Sequence, residues 1–243
     1  MGANTQETGA IGPRVQADVN AKAHATMYSF LSAMFNQRPS EELVARLRRM
    51  GAQGIGELAQ TVELPSEAKL GLEKIAQFVE ASKGQAEEEV CRELGVDWTR
   101  LFRGVAPGYG PPPPYEAVHL GAVEDQASQV LRNVVRCYLE QGASPKQEGA
   151  DRPDYIGLEF DFLALLAERE QAAWEQGDDP VARECALAAR QFFQDHPGRW
   201  VAQYCQRAIS EARTGFFEGL LHLTRGMIEE KNQSLSADLC LPE

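Results

Sequence analysis

The stretch Asp154-Tyr155-Ile156-Gly157-Leu158-Glu159-Phe160-Asp161-Phe162-Leu163-Ala164-Leu165-Leu166 decides how this chain folds. It is apolar on nearly every side of a helical wheel, so it reads as a central helix packed by neighbours all round. Its two carboxylates that stand out have different reasons to be there. Asp154, between Pro153 and the apolar run, occupies the position of an N-cap. Glu159 shares a face with Tyr155, Phe162 and Leu166, where an ionised group without a partner is expensive. It therefore calls for an arginine of this chain or a basic group on a ligand.

Working outward, residues 143–153 are rich in breakers and polar groups, and a hinge between an N-terminal and a C-terminal half is expected there. Before it, Val123, Ala127, Val130, Leu131, Val134 and Tyr138 form an amphipathic helix that stops at Gly142. Further back, Val90, Leu94, Trp98, Leu101 and Phe102 give a strongly apolar face. Between those two helices lies Tyr109-Gly110-Pro111-Pro112-Pro113-Pro114-Tyr115-Glu116-Ala117-Val118-His119. Four successive prolines have no backbone donors and fix φ near −65°, so this segment is extended and rigid, suited to shape a groove.

Helical spacing recurs at Val19 to Phe35, from Ser40 to Met50, and from Pro65 to Val79, with Gly51, Gly54 and Gly56 breaking the pattern between the second and third. After the central helix come further helices from Asp179-Pro180, from Trp200 to Ile209, and from Phe216 to Ile228. No segment alternates with period two over a strand's length. The expected fold is all-α, a single globular bundle of about 9–11 helices. Residues 1–18 read as a disordered tail, 19–229 as the domain and 230–243 as a flexible C-terminal tail.

Apolar residues make up 43% and charged residues 25% of the 243, which suits a globular chain. The net charge of −12 and pI near 4.9 disfavour nucleic acid and anionic lipid, and favour a basic partner. Lack of a secretory core near the N-terminus and of any 18-residue apolar run points to the cytoplasm. The five cysteines are dispersed, with no CxxC pair, and read as reduced thiols; Cys185 and Cys205 fall on apolar faces. Histidines 24, 119, 196 and 222 form no metal signature, and no nucleophile elbow or phosphate loop is present. No metal, cofactor or catalytic residue is expected, and the protein reads as a non-enzyme.

Three blocks in order resemble the TorD/DmsD/NarJ family of molybdoenzyme maturation chaperones. Trp98-Thr-Arg-Leu101-Phe102 followed by Pro113-Pro114-Tyr115-Glu116-Ala117-Val118-His119 is similar to W-x-x-L-F with P-P-[YW]-x-S-V-[YW]. Pro153-Asp154-Tyr155-Ile156-Gly157-Leu158-Glu159-Phe160 resembles P-D-H-[IL]-x-[LV]-E-L. Phe192-Phe193-x-x-His196 with Trp200 resembles F-L-x-x-H-x-x-x-W. Tyr155 stands where the family has histidine, and tyrosine does not titrate near neutrality.

The resemblance implies a TorD-like bundle that binds the N-terminal leader, often a twin-arginine signal, of a molybdopterin oxidoreductase subunit. It further implies help with cofactor insertion, assembly and export proofreading. On that reading Trp98, Leu101, Phe102 and Tyr115 supply an apolar groove with Glu116, Asp154 and Glu159 near the leader's basic end, and His119 and Tyr155 complete the peptide-binding set. The partners are then the leader and catalytic subunit of such an enzyme, with the chaperone itself monomeric or dimeric. Two other classes fit the composition: an acidic all-α scaffold docking a folded basic partner, and a helical hydrolase with a carboxylate-held metal.

Overall fold

A computed structural model describes residues 12–61, 63–104, 108–144 and 152–238. Among these the chain forms ten helices, α1 (Pro13–Asn36), α2 (Glu41–Thr61), α3 (Ser66–Ala81), α4 (Glu87–Phe102), α5 (Glu116–His119), α6 (Glu124–Glu140), α7 (Ile156–Gln176), α8 (Asp179–Asp195), α9 (Pro197–Ile209) and α10 (Gly215–Asp238). The all-α expectation holds. An isolated antiparallel bridge between Tyr115 and Tyr155 is the one β-type pairing among the described residues.

Helix α7 lies along α1 on one side and α8 on the other, and α10 packs on α3 and α9. Its apolar circumference is thereby used: Ile156, Phe160, Phe162, Leu163 and Leu166 are all buried. The α3–α10 crossing is close because both helices present glycine. A Cβ on Gly71 would stand 2.5 Å from the Gly219 carbonyl oxygen, so any side chain there would force the backbones apart.

Four helix boundaries differ from the sequence reading. Pro13 sits at the first helical position, where its missing N–H is no loss, and α1 therefore starts inside the stretch expected as tail. Helix α10 continues past Ile228 to Asp238, with Leu235 buried against the core, so 230–238 is helical where a tail was expected. Gly51 does break its helix locally (φ 70°), yet the chain resumes helical geometry beyond it and α2 runs on as a kinked element. The four-residue α5 was not visible as a helix at all. Most of the expected hinge, 145–151, lies outside the described residues, as do 1–11 and 239–243 of the expected tails.

The C-terminus of α1 shows what two of the motif aromatics do. Its last carbonyls have no partner within the helix. The indole Nε1 of Trp98 donates to the Met34 carbonyl at 3.1 Å, and the Tyr155 hydroxyl donates to that of Phe35 at 2.7 Å. The Arg103 guanidinium lies 4.8 Å from the Trp98 ring centre and 5.5 Å from that of Tyr155, a cation placed where the helix dipole is negative. Tyr155→Phe keeps the ring and strands the Phe35 carbonyl. It is expected to lower stability by about 1–2 kcal/mol, read from the denaturant midpoint at unchanged slope.

Candidate functional site

The polyproline segment offers carbonyls and no amides, and these carbonyls organise the site. Pro113 accepts from the Tyr115 amide at 2.8 Å and from His119 Nε2 at 3.2 Å; Pro114 accepts from the Ile156 amide at 3.0 Å. The Glu116 amide returns a bond to the Asp154 carbonyl at 2.9 Å. These bonds form the Tyr115–Tyr155 bridge and clamp the first motif block onto the start of α7, with the two rings 5.5 Å apart.

Asp154 is fully buried and does cap a helix, but not its own. Its Oδ2 accepts from the Ala117 amide at 3.1 Å, at the start of α5, while α7 has Tyr155 at its N-cap and no side-chain cap. The reason is that bridge, which turns the Asp154 side chain across the chain pair and towards α5. Arg152 neutralises the same carboxylate through bonds of 2.8 and 3.1 Å and lays its guanidinium 5.0 Å from the Tyr115 ring centre.

Beneath the bridge is a buried polar network drawn from all three motif blocks. Glu116 Oε2 is 2.8 Å from His196 Nδ1, and both side chains are buried. Burial works against a charge on His196, but hydrogen bonds to Cys137 and Glu116 overcome it and raise the imidazole to about 9, so the ring is an imidazolium at neutral pH. Glu159 Oε2 accepts from Trp200 Nε1 at 3.1 Å. Burial first, then the neighbouring charge of Glu116, pushes Glu159 well above the usual carboxylate range. These causes favour its protonated form, in which the side chain can donate to the neighbouring Glu116 carboxylate, while Oε1 accepts no bond from any described donor. Among the described residues Glu159 thus has no arginine partner, and its burial favours the form that holds a proton.

His119 stacks on Trp200 with ring centres 5.4 Å apart and meets Tyr204 edge-on at 5.0 Å. Burial lowers its basicity, against the pull of the Pro113 and Pro112 carbonyls. Its Nδ1 is buried without a partner.

The nine residues singled out from sequence fall into two groups. Tyr115, Glu116, His119, Asp154, Tyr155 and Glu159 come together at this junction. Trp98, Leu101 and Phe102 lie in the adjoining core, 5%, 0% and 0% exposed, with Phe102 edge-on to Phe35 and Phe217. In this conformation none of those three meets solvent enough to line an open groove. The side chains exposed at the corner are others: Val118 and Val123, 41% and 67% exposed, followed by exposed Glu124 and Asp125 at the start of α6. Sequence reasoning also omitted His196 and Trp200 from the site, although their block had been recognised. Cys137 gave no signal, because only the packing of α6 beside the α8–α9 junction brings it to His196.

Among the described residues no helix is long and apolar enough to cross a membrane, and no group of three or more histidine, cysteine, aspartate or glutamate side chains is placed to hold a metal ion. No curated protein matches the chain. The family model described as nitrate reductase delta subunit matches residues 62–206, a span that contains all three motif blocks and the whole network they build. The chain accordingly belongs to the nitrate reductase delta subunit family, the NarJ/TorD-type chaperones of molybdoenzyme maturation.

Proposed function

We propose that this protein is a cytoplasmic chaperone that binds the N-terminal signal or leader, often of twin-arginine type, of a molybdopterin oxidoreductase subunit, and assists that subunit's cofactor insertion, assembly and export proofreading. The observation that carries the reading is the convergence of the three family blocks on one junction whose surface is apolar beside acidic. A leader has a basic patch followed by an apolar stretch, and this corner has the complement in order. Tyr115, Val118 and Val123 take the apolar part, and Glu124 and Asp125 face the basic one. Glu116, Asp154, Tyr155, Glu159 and His119 hold that surface from beneath, and Trp98, Leu101 and Phe102 hold it from the core side. The net charge of −12 favours encounter with a cationic peptide, and the effect weakens with added salt.

A synthetic basic-apolar leader from a molybdoenzyme is expected to bind at micromolar Kd or tighter in a calorimetric titration. The double change Val118→Glu with Val123→Glu should weaken it about tenfold or more, since apolar anchors dominate such interfaces. Both side chains are exposed, so the fold should be unaffected. Unchanged affinity in a folded double variant places the leader elsewhere.

A further inference from the structure

Cys137 is half-buried on α6, and its sulfur lies 3.9 Å from Nε2 of His196. The other ring nitrogen, Nδ1, is 2.8 Å from Glu116 Oε2. Thiol, imidazolium and carboxylate stand in line, with a cation beside the sulfur to favour its nucleophilic form and a carboxylate to orient the ring. The orientation is fixed rather than incidental: the Glu116 and His196 side chains are 1% and 5% exposed, and Phe192 packs on the imidazole with ring centres 4.7 Å apart. Cys91, also half-buried, has different company, its thiol donating a hydrogen bond to the Pro39 carbonyl at 3.3 Å. Cys185 and Cys205 are buried.

We propose that Cys137 is a redox-modification site, a thiol that small peroxides oxidise to a sulfenic acid with His196 managing the proton. Because His196 is an imidazolium, the Cys137 thiol passes its proton to solvent, from which the ring later regains the proton it donates, and the sulfur lone pair attacks one peroxide oxygen. The O–O bond breaks as the S–O bond forms, and the proton on Nε2 passes to the departing hydroxide as water. Sulfur loses two electrons and the peroxide gains them; the products are the sulfenic acid and one water. Glu116 holds the ring in register through Nδ1 and stabilises its positive charge. Cys137 is only partly buried, and its open side is where a small peroxide reaches the residue. Oxidant exposure is thereby linked to the same Glu116–His196 pair that the motif blocks assemble. The sulfur is not among the side chains proposed to meet the leader, although Glu116 supports both places.

The test treats the folded full chain with dilute hydrogen peroxide in the presence of dimedone, then follows the peptides containing Cys137 and Cys91 by mass spectrometry. Cys137 should label at least about tenfold faster than Cys91. His196→Gln, with helicity checked by circular dichroism, should bring Cys137 down to the rate of Cys91. Equal labelling in the wild-type chain overturns the proposal, as does an undiminished Cys137 rate in folded His196→Gln. Should that variant not fold, the wild-type chain in urea replaces it. Loss of the Cys137 advantage on unfolding supports the site, and the same ratio in both states overturns it.

Discussion

Replacing Asp97 with alanine should lower the stability of this protein by about 3–5 kcal/mol, the usual consequence of leaving one partner of a buried ion pair without the other. Asp97 and Arg100 are one turn apart on α4, each 2% exposed, with Oδ1 2.9 Å from Nη2. The same carboxylate gathers the segment before α10: Oδ2 accepts from the amides of Arg213 and Thr214 at 3.0 and 2.9 Å and from the Thr214 hydroxyl at 2.9 Å. Thr214 in turn caps α10 through the Phe217 amide. Alanine would remove four accepted bonds, release that cap and leave the buried guanidinium with the Glu211 carbonyl as its remaining close acceptor, its Nε already lacking a partner. Glu211, which also approaches Arg100, has a half-exposed side chain and does not compensate. Equilibrium urea unfolding measures the loss. Adding Arg100→Met to Asp97→Ala should recover part of it, because the stranded charge goes too; a loss under about 1 kcal/mol for Asp97→Ala alone would show that the pair is not desolvated.

The second large effect is on pH. Between pH 6.5 and 9 the protein should become steadily less stable, by up to about 1.4 kcal/mol per pH unit for each proton that the folded state keeps and the unfolded chain has lost. Two groups contribute with the same sign. His196, raised to about 9, stabilises the fold fully below its unfolded value near 6.5 and loses that contribution as pH rises through 9. Glu159, held well above its ordinary value, keeps its proton while the unfolded chain has lost it above about 4.5, so it adds to the same decline. His24, lowered to about 4 by burial and by Lys231, and His119, lowered by burial, are neutral in both states on this alkaline side and act only as pH falls below 6.5.

Glu116→Gln removes both the carboxylate that supports the imidazolium and a charge that helps Glu159 keep its proton, so its pH slope should fall to about half that of the wild type or less. Adding Glu159→Gln should leave little slope at all. Thermal melts at several pH values give the comparison. A flat wild-type profile from 6.5 to 9 would exclude a charged His196 in the folded protein.

Helix periodicity carried most of the architecture because it is a local property. The apolar circumference of 154–166, the stripe ending at Phe102 and the proline at the start of α8 each state their role within a few residues. Errors cluster at helix ends, where the outcome depends on contacts from elsewhere. Helix α10 runs on to Asp238 with Leu235 buried against the rest of the core, and α5 exists because Asp154, 37 residues away, caps it.

The order and content of the three motif blocks, with their family, were determined by the sequence alone, as was the expectation that 98–119 and 153–162 act together. Which way those residues face was decided only by the tertiary structure. Trp98 and Tyr155 cap the end of α1, Glu159 holds a proton instead of meeting an arginine, and Cys137 meets an imidazole 59 residues on. The physical reason is common to all of them. A helical pattern specifies that a face is buried, but the partner that satisfies a polar group on that face is supplied by whichever distant segment the packing brings within hydrogen-bond reach.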